Sequence, residues 1–206
     1  MKKEEKIIAE YYTKKIEEHG VSPEGVDWNG TESQELRFLE LMKVIDARNF
    51  SIIDVGCGYG ALLDYMVKTN IDSKGYLGVD LSKEMVKEAK NLHPKQADQF
   101  DHISRLEDMK NADYAVASGI FNVRLTETDD NWINYIKQTL TVINSKTSKG
   151  FSFNILTSYS DEEKKRDYLY YASPEELFAF CKNNFSRNVA LLHDYNLYEF
   201  SILVRK

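Results

Sequence analysis

The chain has 206 residues, with 42% hydrophobic and 29% charged side chains, which suits one globular domain. Its formal net charge is -6 and its pI about 5.3. Affinity for nucleic acid rests on neutralising phosphate, so an acidic domain argues against DNA or RNA as the partner.

The longest basic run, Lys164-Lys165-Arg166, directly follows Asp161-Glu162-Glu163 and reads as a solvated face. Two cysteines, Cys57 and Cys181, lie far apart, with no disulfide framework or metal-ligand spacing. The amino terminus is charged, and no apolar stretch of membrane-spanning length follows it. A cytoplasmic, membrane-free protein is the expectation.

In chain order, Lys3 to His19 carries Ile7, Ile8, Tyr11, Tyr12 and Ile16, close to a helical i, i+4 stripe. Gly20, Pro23 and Gly25 break it, and Trp28 follows in a Gly-flanked segment. A second helix is expected from Thr31, with Leu36, Leu39, Met42, Val44 and Ile45 as its apolar side. These residues, 1–49, form a helical cap ahead of a core from 50 to 206 within a single domain.

From Phe50 short apolar runs alternate with helical segments. Strands are expected at Ser51 to Val55, Gly75 to Val79, Phe100 to Ile103, Tyr114 to Ala117 and Gly150 to Leu156. Helices are expected at Ala61 to Thr69, Ser82 to Asn91, Asn131 to Ile143 and Pro174 to Asn183. Asn188 to His193 and Tyr198 to Val204 read as a closing antiparallel hairpin. The fold class is α/β, a doubly wound and mostly parallel sheet.

The sharpest motif is Asp54-Val55-Gly56-Cys57-Gly58-Tyr59-Gly60, which leaves an apolar strand and opens a helix. Glycine is needed where the chain turns tightly and a ligand approaches the backbone. Gly56, Gly58 and Ala61 also satisfy the dinucleotide fingerprint. Asp54, however, would repel a pyrophosphate and suits a cationic or amine-bearing ligand. Asp80, ending the next strand in Gly78-Val79-Asp80-Leu81-Ser82, is placed to take ribose hydroxyls in charge-assisted hydrogen bonds.

The glycine motif together with Gly78-Val79-Asp80-Leu81-Ser82-Lys83-Glu84-Met85 resembles the cofactor motifs of class I S-adenosylmethionine-dependent methyltransferases. The resemblance runs from about Ser51 to the final hairpin. It implies a Rossmann-like sheet of seven strands with an antiparallel end and a helical lid at the amino terminus. It further implies S-adenosylmethionine as cofactor and S-adenosylhomocysteine as product. Gly56, Gly58 and Gly60 would pass beneath the methionine part, Asp54 would orient its amino end, Asp80 would hold the ribose, and Leu81 and Met85 would flank the adenine. The adenine amine falls to Ser104 or to Asp101.

The loops at the carboxyl ends of the strands should share one face, bringing Ser118, Gly119 and Asn122 together with Tyr159 and the turn at His193 to Asn196. Trp28 is expected over the cofactor, and Arg37 either on the cofactor carboxylate or in a surface pair with Glu40 or Glu32. Methyl transfer from a sulfonium is an in-line displacement, in which the protein aligns the nucleophile and excludes water. His193, oriented by Asp194, is the candidate base, or else a solvent-facing histidine; Asn122, Tyr159, Tyr171 and Tyr195 are candidates for holding a small-molecule acceptor. Competing readings are an NAD-dependent oxidoreductase and a non-catalytic subunit that binds S-adenosylmethionine.

Overall fold

The computed structural model describes residues 3–20 and 30–206. Trp28 lies outside the described residues. Two helices precede the core: α1 (Lys3–His19) and α2 (Thr31–Met42). The core then runs β1 (Ser51–Val55), α3 (Ala61–Lys68), β2 (Gly75–Asp80), α4 (Lys83–Leu92), β3 (Phe100–His102), β4 (Ala112–Ala117), α5 (Asp129–Lys146), β5 (Thr147–Leu156), α6 (Pro174–Asn184), β6 (Asn188–Leu192) and β7 (Glu199–Arg205). No described helix is long and apolar enough to cross a membrane.

The seven strands form one sheet in the order β3-β2-β1-β4-β5-β7-β6. Strands β1 to β5 pair in parallel, and β7 inserts antiparallel between β5 and β6. Strand order reverses at β1: the chain winds outward to β2 and β3, then returns to β4. Such a reversal opens a crevice at the carboxyl ends of the strands.

Period-two alternation sorts the core into two layers. Ile53, Val55, Ala115, Ala117, Phe151, Phe153, Phe200 and Ile202 pack on one face with Trp132, Ile136 and Leu140 of α5 and Leu177 and Cys181 of α6. Ile52, Tyr114, Val116 and Leu203 pack on the other with Phe38 and Leu41 of α2, Leu62 and Met66 of α3, and Val86 and Ala89 of α4. The α2 face departs from the expected one. Leu39 is exposed, while Gln34, Arg37, Phe38 and Leu41 point inward. On that side β5 and β7 present Ser152, Asn154, Glu199 and Ser201, so the buried face of α2 is partly polar.

Local chemistry fixes several helix starts. Ser82, Thr128 and Ser173 each accept a backbone N–H three residues ahead, at 3.3, 3.3 and 3.1 Å, and Pro174 opens α6. Helix α2 instead begins after Gly30 with no side-chain cap, so Thr31 is its first residue.

Candidate active site

After Val55 the chain turns through Gly56, Gly58 and Gly60, with φ of 72°, 53° and 94°. A Cβ on Gly56 would stand 2.4 Å from Ile120 Cγ2, so only glycine fits. The amides of Gly56 and Cys57 both donate to the Val79 carbonyl, at 2.8 and 3.1 Å, tying the turn to β2. Gly60 has a different task. Its missing Cβ admits His93 and Phe100, 2.8 and 2.9 Å from where that atom would sit, and the residue does not line the cleft.

Asp80 straps the two turns together. Its Oδ2 accepts the Gly58 N–H at 3.0 Å and its Oδ1 the Ser82 N–H at 2.8 Å. Burial pushes its pKa up, and these amides pull it down. Asp54 is buried at 3% exposure and accepts the Tyr76 hydroxyl at 2.8 Å. Burial pushes its carboxyl up to about 7, against the Tyr76 bond and with help from Asp80.

Both acids open into one cleft whose empty space of about 950 Å³ includes open solvent. Gly56, Gly58, Leu81, Met85, Ser118 and Gly119 line it as well. The Ser118 hydroxyl is buried there without a hydrogen-bond partner. A buried hydroxyl left unbonded costs about 1–3 kcal/mol, so it marks a place where a ligand group is wanted.

Several lining residues carried no signature in the sequence. Helix α1 supplies Ile8, Ala9 and Tyr12 and is held by Thr13 Oγ1 against Ser82 Oγ at 2.8 Å. Helix α2 supplies Gln34 and Phe38, and Tyr59 donates to Gln34 Oε1 at 3.2 Å. Ile103, Leu106, Ile120 and Tyr135 complete the walls. The helical stripe containing Ile8 and Tyr12 was visible, but an apolar stripe reads equally as core.

Other expected residues sit elsewhere. Ser104 is exposed and Asp101 pairs with Lys110 at 3.2 Å, so the wall beyond β3 is Ile103 and Leu106 instead. Arg37 is on neither the cleft wall nor the surface; it is buried, with Nε 2.9 Å from Glu199 Oε2. Asn122 turns inward, its Oδ1 accepting Leu156 N–H at 3.1 Å, because that bond pins the β4 loop to the end of β5. His193 is exposed beside the rings of Tyr159 and Phe200, each 6.0 Å away. Tyr159 is 66% exposed and donates to Glu175. Tyr171 accepts the Arg166 N–H at 3.0 Å, and Tyr195 is buried against Ser201 at 2.9 Å. None of these five lines the cleft. The β6–β7 turn lies at the same edge of the sheet, but β4 and β5 stand between it and β1.

A methyltransferase domain pattern matches residues 53–142, the stretch holding both acids and the glycine turn. A Mycobacterium tuberculosis protein named as a methyltransferase is 52% identical over 170 residues, covering 80% of this chain and 99% of the relative. The chain belongs to the class I S-adenosylmethionine-dependent methyltransferases.

Solved methyltransferases share the fold at low identity. Magnesium protoporphyrin IX methyltransferase from Synechocystis, solved with S-adenosylmethionine, superposes with TM-score 0.64 at 12% identity, over 100% of this chain and 98% of that one. A methyltransferase from Clostridium acetobutylicum gives 0.57 at 13%, over 97% and 98%. Human N-acetylserotonin methyltransferase, also solved with S-adenosylmethionine, gives 0.58 at 15%, over 98% of this chain and 66% of that one.

Proposed function

We propose that the cleft binds S-adenosylmethionine and that the protein transfers its methyl group to a small-molecule acceptor, on oxygen or nitrogen. The observation that carries this reading is the opening of two carboxylates, Asp54 and Asp80, into one largely apolar cleft beside an unbonded Ser118 hydroxyl.

The residues fit the cofactor. A buried carboxylate wants a cation, and the ammonium of the methionine part supplies one for Asp54. Asp80 accepts two backbone amides and has lone pairs left for ribose hydroxyls. Leu81, Met85, Ile103 and Leu106 form an apolar slot for the adenine. Ser118 and Gly119, across β1 from Asp80, fall to the methionine half.

When bound, the cofactor's sulfonium supplies an activated methyl group. The protein's share is alignment and dryness. Tyr12 and Ile8 of α1 and Phe38 of α2 line the cleft, giving these two helices the role of excluding water. Among the described residues, no histidine or lysine lines the cleft. His193, outside the cleft, takes no acid–base part in this reading.

The test is transfer of labelled methyl groups from S-adenosylmethionine to a panel of small acceptors, with tRNA and mixed protein offered in parallel. Label in a small molecule is expected. Label confined to tRNA or protein contradicts the acceptor class, and tight cofactor binding with no transfer to anything favours a non-catalytic subunit.

A further inference from the structure

Arg37 was singled out by the sequence and plays no part in the cleft itself. Its guanidinium starts a buried polar chain. Arg37 Nε lies 2.9 Å from Glu199 Oε2 and 2.8 Å from Oε1. Glu199 Oε1 accepts from Asn154 Nδ2 at 3.0 Å, and Asn154 Oδ1 accepts the backbone N–H of Gly119 at 2.8 Å. Arg37, Glu199 and Asn154 are 7%, 1% and 0% exposed.

A chain of this kind is expensive to bury. Two desolvated charges cost several kcal/mol, recovered only when geometry and secondary bonds are good, and apolar replacements often serve stability as well or better. Stability alone is thus a poor reason for charge here. The far end of the chain is informative. Gly119 sits in the left-handed region, at φ 73°, and lines the cleft next to the unbonded Ser118 hydroxyl. Its N–H is held inward by Asn154. In a trans peptide the C=O points opposite to the N–H, so the same bond fixes the direction of the Ser118 carbonyl.

We infer that Arg37, Glu199 and Asn154 are positioning residues that lock the Ser118–Gly119 peptide in the geometry that grips the methionine half of the cofactor, linking the cap helix α2 to ligand binding. Asn154 is the necessary intermediary: a neutral amide presents a donor to Glu199 and an acceptor to Gly119 at once. Arg37 Nε faces both carboxylate oxygens and so fixes the plane in which Oε1 also meets Asn154 Nδ2. The inference rests on the cofactor reading above, and sheet order makes it directional. Asp80, Leu81 and Met85 lie on the β2 side of β1 and Ser118–Gly119 on the β4 side. Damage to the chain should therefore fall on one end of the ligand.

The experiment compares calorimetric affinities of S-adenosylhomocysteine and adenosine for the parent and Asn154→Leu, a variant with the same branched heavy-atom skeleton and both polar functions removed. With the variant folded by its thermal transition, S-adenosylhomocysteine should weaken at least tenfold while adenosine stays within twofold. Equal weakening of both ligands assigns the chain a merely structural role, and unchanged S-adenosylhomocysteine affinity removes it from the site; either overturns the inference. If Asn154→Leu does not fold, Asn154→Ala carries the same test and the same expected split, because alanine removes both the acceptor for the Gly119 N–H and the donor to Glu199. A parent protein that binds neither ligand contradicts the cofactor reading instead.

Discussion

Replacing Asp80 by alanine should weaken S-adenosylmethionine binding by about 100-fold or more while the chain stays folded. The carboxylate does two things at once. It accepts the amides of Gly58 and Ser82, at 3.0 and 2.8 Å, and so sets the glycine turn against the start of α4. It also presents remaining lone pairs to the ribose. Hydrogen bonds to charged groups contribute about 1.5–3 kcal/mol each, and loss of the ribose contacts together with a loosened turn amounts to about 3 kcal/mol in binding. Asp80→Asn keeps an acceptor for one amide and should lose about tenfold. Isothermal titration checks both. Affinity for Asp80→Ala within threefold of the parent would remove the residue from the site.

Affinity should also depend on pH in a defined direction. Asp54 must be ionised to hold the cofactor's ammonium, and burial places its carboxyl at about 7 in the free protein. Below that pH the group is protonated, and binding the cation has to expel the proton. Affinity is then fully present above about pH 7.5 and falls about tenfold for each unit below 7, so pH 5 should cost about 100-fold against pH 8. Binding at pH 6 should release close to one proton, seen as a dependence of the binding heat on buffer ionisation enthalpy. Asp54→Asn should flatten the profile at the low-pH level. A flat profile in the parent between pH 5 and 8 would show that Asp54 does not carry the cation.

The parts of the site legible in the sequence are those whose chemistry is local. Asp54, Gly56, Gly58, Asp80, Leu81 and Met85 sit within one strand–turn–helix and the end of the next strand, so spacing alone places them on a common rim. Ser118 and Gly119 follow from being at the end of β4 beside β1. The illegible parts are fixed by distant partners. Gly60 shares the glycine pattern, but its neighbours His93 and Phe100 come from a segment more than thirty residues away and turn it to packing. Arg37 finds Glu199 across 162 positions. Asn122 is on the right loop, yet one bond to Leu156 N–H turns its side chain away. His193 and Tyr195 lie at the right edge of the sheet but past β4 and β5. Ile8, Tyr12, Phe38 and Tyr135 are apolar or aromatic, and nothing in such residues distinguishes a cleft wall from a core.

The polar alternation of β5 is legible in the sequence. Phe151-Ser152-Phe153-Asn154-Ile155 puts both phenylalanines on the α5 side and both polar residues on the α2 side. A buried serine and asparagine require partners, and those partners, Leu41 O at 2.9 Å and Glu199 Oε1 at 3.0 Å, tie the cap helix and the last strand to the sheet.

The most direct measurement is a calorimetric titration of the purified protein with S-adenosylhomocysteine and, separately, with NADH at pH 8. The geometry predicts saturable one-to-one binding of S-adenosylhomocysteine at micromolar concentration and no heat from NADH, whose pyrophosphate would meet Asp54. Binding of NADH, or indifference to S-adenosylhomocysteine at millimolar concentration, would contradict the assignment of the cleft.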